Sequence, residues 1–181
     1  MRKDKDRAKS RQFVIHFAGL EIGRHKFDFE VHDSFFKDFE NSEVENGNFS
    51  VIVDLLKQST MLVLDFELVG ITKTICDRCS EELNLKVEGK NRLIVKLGND
   101  DFEEESDIVS IPLTDSEIDI AQYVYEYIIL SLPQRRVHAE IKMGKSGCNP
   151  ETLKKLEKVL SKEKKKQIDP RWEKLKTLKI K

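Results

Sequence analysis

Apolar and polar positions alternate along this chain with two different periods. From His25 to Val31, the apolar residues Phe27, Phe29 and Val31 fall between Lys26, Asp28 and Glu30. This is the period of a strand with one buried face. It predicts an extended segment over 13–31 with a turn between Gly19 and Gly23. The period then changes. Phe35, Phe36 and Phe39 recur at helical spacing, and Asp33 or Ser34 can cap the start, so a short helix is predicted that buries the phenylalanines against a sheet. Asn46-Gly47 is a turn signal before the next strand, Phe49 to Leu55. Further strands are predicted over 61–69, 71–75, 82–88 and 91–97. Leu62, Leu64, Phe66 and Leu68 share one face while Asp65 and Glu67 take the other. Leu83, Leu85 and Val87 alternate with Asn84, Lys86 and Glu88.

Ser116-x-x-Asp119 resembles a capping box. After it, Ile120, Val124 and Ile128, flanked by Ala121, Tyr125 and Leu132, form a broad apolar stripe that predicts a helix ending at Pro133. Residues 134–149, with Gly144 and Gly147, read as a loop. Pro150 opens a second helix with a narrow Leu153, Leu156, Leu160 stripe among lysines, and Asp169-Pro170-Arg171-Trp172 begins a short terminal segment. The fold class expected is α+β: an antiparallel sheet or small open β-barrel, with one packed long helix and C-terminal helices. No internal repeat is present.

Charge divides the chain more sharply than its total of −1 suggests. Residues 1–12 carry six Lys/Arg against two Asp/Glu, residues 135–181 carry sixteen against six, and residues 13–134 carry ten against twenty-five. An acidic body of net −15 therefore stands between ends of +4 and +10. Basic ends attract phosphate over about one Debye length, roughly 8–10 Å, even when the whole chain is near neutral. The plainer reading pairs the basic tail with the protein's own acidic body. A basic arm over 1–11, a body over 12–160 and a basic tail over 161–181 are expected. Residues 99–107 are an acidic loop. No stretch approaches the roughly 20 apolar residues of a membrane helix, and no apolar h-region follows the charged N-terminus. Three cysteines, two of them in one C-x-x-C, speak against a secreted disulfide framework and for the reducing cytoplasm.

Cys76-Asp77-Arg78-Cys79 lies at a hairpin turn between two predicted strands. Thiolates three residues apart on a tight turn can face one point, as in zinc knuckles, and a structural zinc takes four ligands. The remaining candidates are Cys148 and one of His16, His25, His32 and His138. His138 is preferred because it shares the 134–149 loop with Cys148, which gives the set Cys76, Cys79, His138 and Cys148. The gap between the two halves matches no common finger spacing, and thiols also pack as small hydrophobes. A thiol-redox enzyme needs the first cysteine at a helix N-terminus, whereas here a strand pattern follows. Phosphate-binding glycine loops, G-x-S-x-G and H-E-x-x-H are all missing, so no catalytic residue is expected.

Arg135-Arg136 follow the long helix, and Lys164-Lys165-Lys166 and Arg171 lie in the tail; these six are the candidate RNA contacts. Trp172 could stack on a base, but a lone Trp in such a tail more often docks on its own domain.

Three blocks in this order resemble the YceD-like family of large ribosomal RNA subunit accumulation proteins. Val69-Gly70 through Cys76-Asp77-Arg78-Cys79 resembles its strand followed by C-x-R-C. Glu117-Ile118-Asp119-Ile120 through Leu130-Ser131-Leu132-Pro133 resembles its acidic helix ending in L-x-L-P. Cys148-Asn149-Pro150 matches its downstream cysteine and short helix. The resemblance spans roughly 12–160 and leaves out the tail; family members often carry Cys where His138 stands. It implies a non-catalytic role in the accumulation or assembly of the large-subunit rRNA. The expected partners are that rRNA or a pre-ribosomal particle and a basic large-subunit ribosomal protein. The alternative is a zinc-stabilised nucleic-acid-binding regulator.

Overall fold

The computed structural model describes residues 11–98, 108–141 and 145–163. They form two compact units, one within Met1–Thr74 and Glu82–Arg135, the other within Ile75–Glu81 and Arg136–Lys181.

The first unit is built on a five-stranded sheet. After a 3-10 turn, Arg11–Phe13, come β1 (Val14–His16), β2 (Gly23–Val31), the short helix α1 (Asp33–Phe36), β3 (Gly47–Lys57), β4 (Met61–Ile75) and β5 (Glu82–Leu97). Then follow β6 (Ile108–Ile111), β7 (Glu117–Asp119) and α2 (Ala121–Leu130). The sheet order is β2-β3-β4-β5-β6, and β1 and β7 form a separate pair. β2 and β3 are antiparallel, as are β3 and β4. Alternation sets the register: Val53 opposes Phe66 and Leu55 opposes Leu64, all buried, while Asp54 and Asp65 meet on the outer face. A one-residue slip would exchange the two faces. The charged outer row is neutralised toward β5, where Arg92 reaches Asp65 at 2.6 Å and Lys90 reaches Glu67 at 2.5 Å. Both pairs are exposed, so each contributes little to stability.

Core side chains come from the inner face of this sheet and from both helices. Val124, Tyr127 and Ile128 of α2 are buried. The Tyr127 ring meets Phe66 edge-on at 5.0 Å, and its hydroxyl donates to the Arg92 carbonyl at 3.3 Å. At the other end Phe35 packs against Phe13 at 4.8 Å, and Phe36 against Phe49 at 6.0 Å. The phenylalanine spacing noted in the sequence thus serves an aromatic cluster. Lys57 closes the turn after β1, its Nζ donating to the carbonyls of Phe17, Ala18 and Leu20 at 2.8, 3.2 and 2.9 Å.

Several expectations are corrected. Among the described residues no sheet closes into a barrel or curls strongly: the order begins at β2 and ends at β6, and these two strands do not pair. The sheet is also mixed, because β6 joins β5 in parallel, Ile94 opposite Ile108 and Leu97 opposite Ile111. The segment resembling a capping box is a strand. Glu117–Asp119 pairs with Val14–His16, and the helix starts only at Ala121. Ile118 and Ile120 are both buried, which is a period of two, and Asp119 Oδ1 instead accepts the Ala121 N–H at 2.9 Å. The segments 61–69 and 71–75 are one continuous strand, as are 82–88 and 91–97. The 99–107 loop, residues 1–10 and the tail from 164 lie outside the described residues.

The second unit holds the C-x-x-C turn, the short strands β8 (Glu140–Ile141) and β9 (Lys145–Ser146), and α3 (Pro150–Glu163). β8 and β9 are antiparallel.

Candidate metal centre

The turn from Ile75 to Glu81 makes the first half of the centre. Cys76 N–H donates to the Glu81 carbonyl at 2.8 Å and Ser80 N–H to the Cys76 carbonyl at 2.9 Å. Ser80 sits at φ 58°, the left-handed conformation that a tight reversal requires. The chain therefore curls around the two sulfurs and turns its amides inward. The backbone N–H groups of Arg78, Cys79 and His138 reach Cys76, and those of Glu81 and Asn149 reach Cys79.

The second half is set by a hairpin register. Glu140 opposes Ser146 and Ile141 opposes Lys145, so continuing the ladder outward brings His138 opposite Cys148. Gly147 N–H donates to the Ala139 carbonyl at 3.1 Å just inside that position. Asn149 then starts α3. Its Oδ1 accepts the Glu151 N–H at 2.9 Å, with Pro150 at the first helical position, the arrangement favoured at helix N-termini.

Two further links join the halves. Asp77 and Arg136 exchange bonds: Asp77 N–H donates to the Arg136 carbonyl at 2.8 Å, and Arg136 N–H to Asp77 Oδ2 at 2.7 Å. Asn149 Nδ2 donates to Glu81 Oε1 at 2.6 Å.

The structure brings Cys76, Cys79, His138 and Cys148 together, one ligand atom from each, all within 4.8 Å of one another. Cys76 Sγ lies 3.8 Å from Cys148 Sγ, and Cys79 Sγ lies 3.4 Å from His138 Nδ1. The cysteines are free thiols, 1%, 4% and 5% exposed, and His138 is half-buried. Burial pushes the Cys76 thiol up, but the three backbone amides and the neighbouring Cys79 outweigh it and hold Cys76 at about 6, below its ordinary 9.0. Burial dominates at Cys79 and raises it; the amides of Glu81 and Asn149 oppose that, while Cys76 and Cys148 add to it. Three soft sulfurs and one imidazole converging in a buried, amide-lined pocket form a donor set able to coordinate a metal ion.

His16, His25 and His32 lie elsewhere, engaged with Glu117, the Glu21 carbonyl and Asn48. Of the candidate RNA contacts, Arg135 is exposed and Arg136 half-buried, its backbone held by Asp77; Lys164, Lys165, Lys166 and Arg171 lie outside the described residues. Sequence reasoning passed over Asp77 and Asn149. Asn149-Pro150 is a readable capping signature; nothing in the sequence marks Asp77 as a clamp.

Comparison with protein-family models matches residues 64–179, more than half of the chain, to the family described as large ribosomal RNA subunit accumulation protein YceD. The match begins within β4 and takes in the turn, α2, all four clustered ligands and most of the tail. It thus starts later and runs further than the sequence resemblance. No curated protein and no solved structure matches the chain.

Proposed function

The chain belongs to the YceD family of large ribosomal RNA subunit accumulation proteins, and from this we propose that it acts in the cytoplasm, through its charged segments, to support accumulation of the large-subunit rRNA. The observation that carries the reading is the family match, which spans the C-x-x-C turn, α2 and all four clustered ligands. A non-catalytic role is consistent with it: no catalytic motif is evident. Among the described residues no helix is long and apolar enough to cross a membrane.

The basic arm over 1–11 and the tail over 161–181 would hold RNA in a pre-ribosomal particle, with Arg135, Arg136, Lys164, Lys165, Lys166 and Arg171 as contacts. The acidic body over 13–134 would hold a basic large-subunit ribosomal protein. The support is the charge partition, −15 across 13–134 against +4 and +10 at the ends, because complementary fields speed encounter and restrict partners.

We infer that the metal is zinc, which a set of three sulfurs and one imidazole suits. A tetrahedral ion with Zn–S of about 2.3 Å places sulfurs about 3.8 Å apart, and Zn–N of about 2.0–2.1 Å places sulfur and nitrogen about 3.5 Å apart. The observed separations are 3.8 Å for Cys76 to Cys148 and 3.4 Å for Cys79 to His138. Bound there, the ion would tie the C-x-x-C turn to the hairpin that starts α3.

Depletion of the protein in cells tests the function. The large-subunit rRNA is expected to fall relative to the small-subunit rRNA and to recover with the full chain. An unchanged ratio overturns the reading. Removing 1–11 and 161–181 is expected to weaken RNA association and flatten its salt dependence; undiminished association overturns the assignment to the ends.

A further inference from the structure

Cys76 Sγ and Cys148 Sγ approach to 3.8 Å from segments 72 residues apart. Cys79 Sγ lies 3.4 Å from His138 Nδ1 and also interacts with both of the other sulfurs. We propose that Cys76 and Cys148 are a redox modification site: a hydroperoxide converts them to a disulfide, and the metal ion leaves. The release rests on the zinc reading above; the choice of sulfurs rests on the geometry alone.

The step balances with one hydroperoxide. One thiolate attacks an oxygen of hydrogen peroxide; an S–O bond forms, the O–O bond breaks, and the departing hydroxide takes a solvent proton to become water. The second thiolate attacks the resulting sulfenic acid. An S–S bond forms, the S–O bond breaks, and the hydroxide again leaves as water. Two sulfurs supply the two electrons, and solvent supplies both protons when the sulfurs start as metal-bound thiolates.

Two features favour this pair over Cys76 with Cys79. Cys79 has the His138 ring beside it. Cys148 stands between Gly147 and Asn149, at the joint between β9 and α3, where a shift of one sulfur by roughly 2 Å would bring it from contact to the S–S bond length. Oxidation leaves Cys79 and His138 as the remaining ligands, two of the four that a closed zinc site requires. Reduction by a dithiol requires this buried pair, 1% and 5% exposed, to open to the attacking thiolate.

The test uses the full chain, purified without oxygen and analysed for zinc, then treated with one equivalent of hydrogen peroxide. Zinc release is followed with a colorimetric chelator, and disulfides are mapped by mass spectrometry after alkylation. The expected result is one zinc lost per chain, in step with one Cys76–Cys148 disulfide, both reversed by dithiothreitol and added zinc. Cys79→Ser retains the pair and is expected to form the same disulfide; Cys148→Ser is expected to form none with Cys76. A map showing Cys76 joined to Cys79, or sulfinic acids without a disulfide, overturns the proposal. Zinc that stays bound after the disulfide forms also overturns it. A protein that purifies with no zinc overturns the metal reading and the release, and the same mapping on that protein still decides the thiol pair.

Discussion

Replacing Gly70 by alanine puts a methyl group where the fold has no room. A Cβ on Gly70 would lie 2.4 Å from the Asn48 carbonyl oxygen, 2.4 Å from Phe49 Cδ1 and 2.6 Å from Phe49 Cγ. Carbon atoms settle at about 3.5–4.0 Å, so relief demands a movement of about 1 Å. Neither neighbour can easily move. The Asn48 oxygen belongs to the β3 backbone in the β3–β4 ladder. Phe49 is 1% exposed and packed against Phe36. Overpacking of this kind costs about 1–3 kcal/mol, and the backbone contact places Gly70→Ala at the upper end, about 3 kcal/mol. For a chain of this length that lowers the melting temperature by about 6–12 °C. Gly19→Ala is the control, since nothing lies within 4 Å of a Cβ there, and it should stay within about 0.5 kcal/mol of the parent. The assay is thermal and urea unfolding of both full-length variants by far-ultraviolet circular dichroism. Equal midpoints for Gly70→Ala and Gly19→Ala would refute the packing argument, and with it the account of β4 as one unbroken strand over the Phe49 ring.

Lys57→Met removes the ammonium shared by three carbonyls of the 17–20 turn and should cost about 1–2 kcal/mol, less than a fully buried charged bond because the lysine is partly exposed; an unchanged urea midpoint would count against it. Asn149→Ala removes the acceptor for Glu151 N–H and the donor to Glu81, and should cost about 1–2 kcal/mol at the start of α3, read as faster amide exchange over 150–154 and contradicted by unaltered protection there. Elemental analysis of the full chain should find one zinc per molecule, and a strong chelator should abolish amide protection around 76–81 and 138–149, because metal binding supplies local folding energy; protection that survives chelation would refute the structural role.

Much of the first unit could be read from periodicity alone. The alternation of Leu62, Leu64, Phe66 and Leu68 against Asp65 and Glu67 determined both the strand and the face it buries, because side chains on a strand alternate whatever lies beside them. The stripe of Val124 and Ile128 did the same for α2, and Pro150 for the start of α3. The C-x-x-C turn was equally local, since three residues of spacing and a reversal suffice to turn two sulfurs one way. Tertiary structure decided the rest. The parallel partner of β5 was hidden because Ile108–Ile111 is too short to carry a period and pairs across an intervening segment. Glu117–Asp119 looked like a helix cap until β1 provided a strand for it to join, which shows how weak a four-residue capping pattern is beside a ladder and two buried isoleucines. His138 was preferred over three other histidines only for sharing a loop with Cys148. What places it there is the hairpin register of β8 and β9, and register belongs to the pairing of two segments, which no single stretch of residues contains.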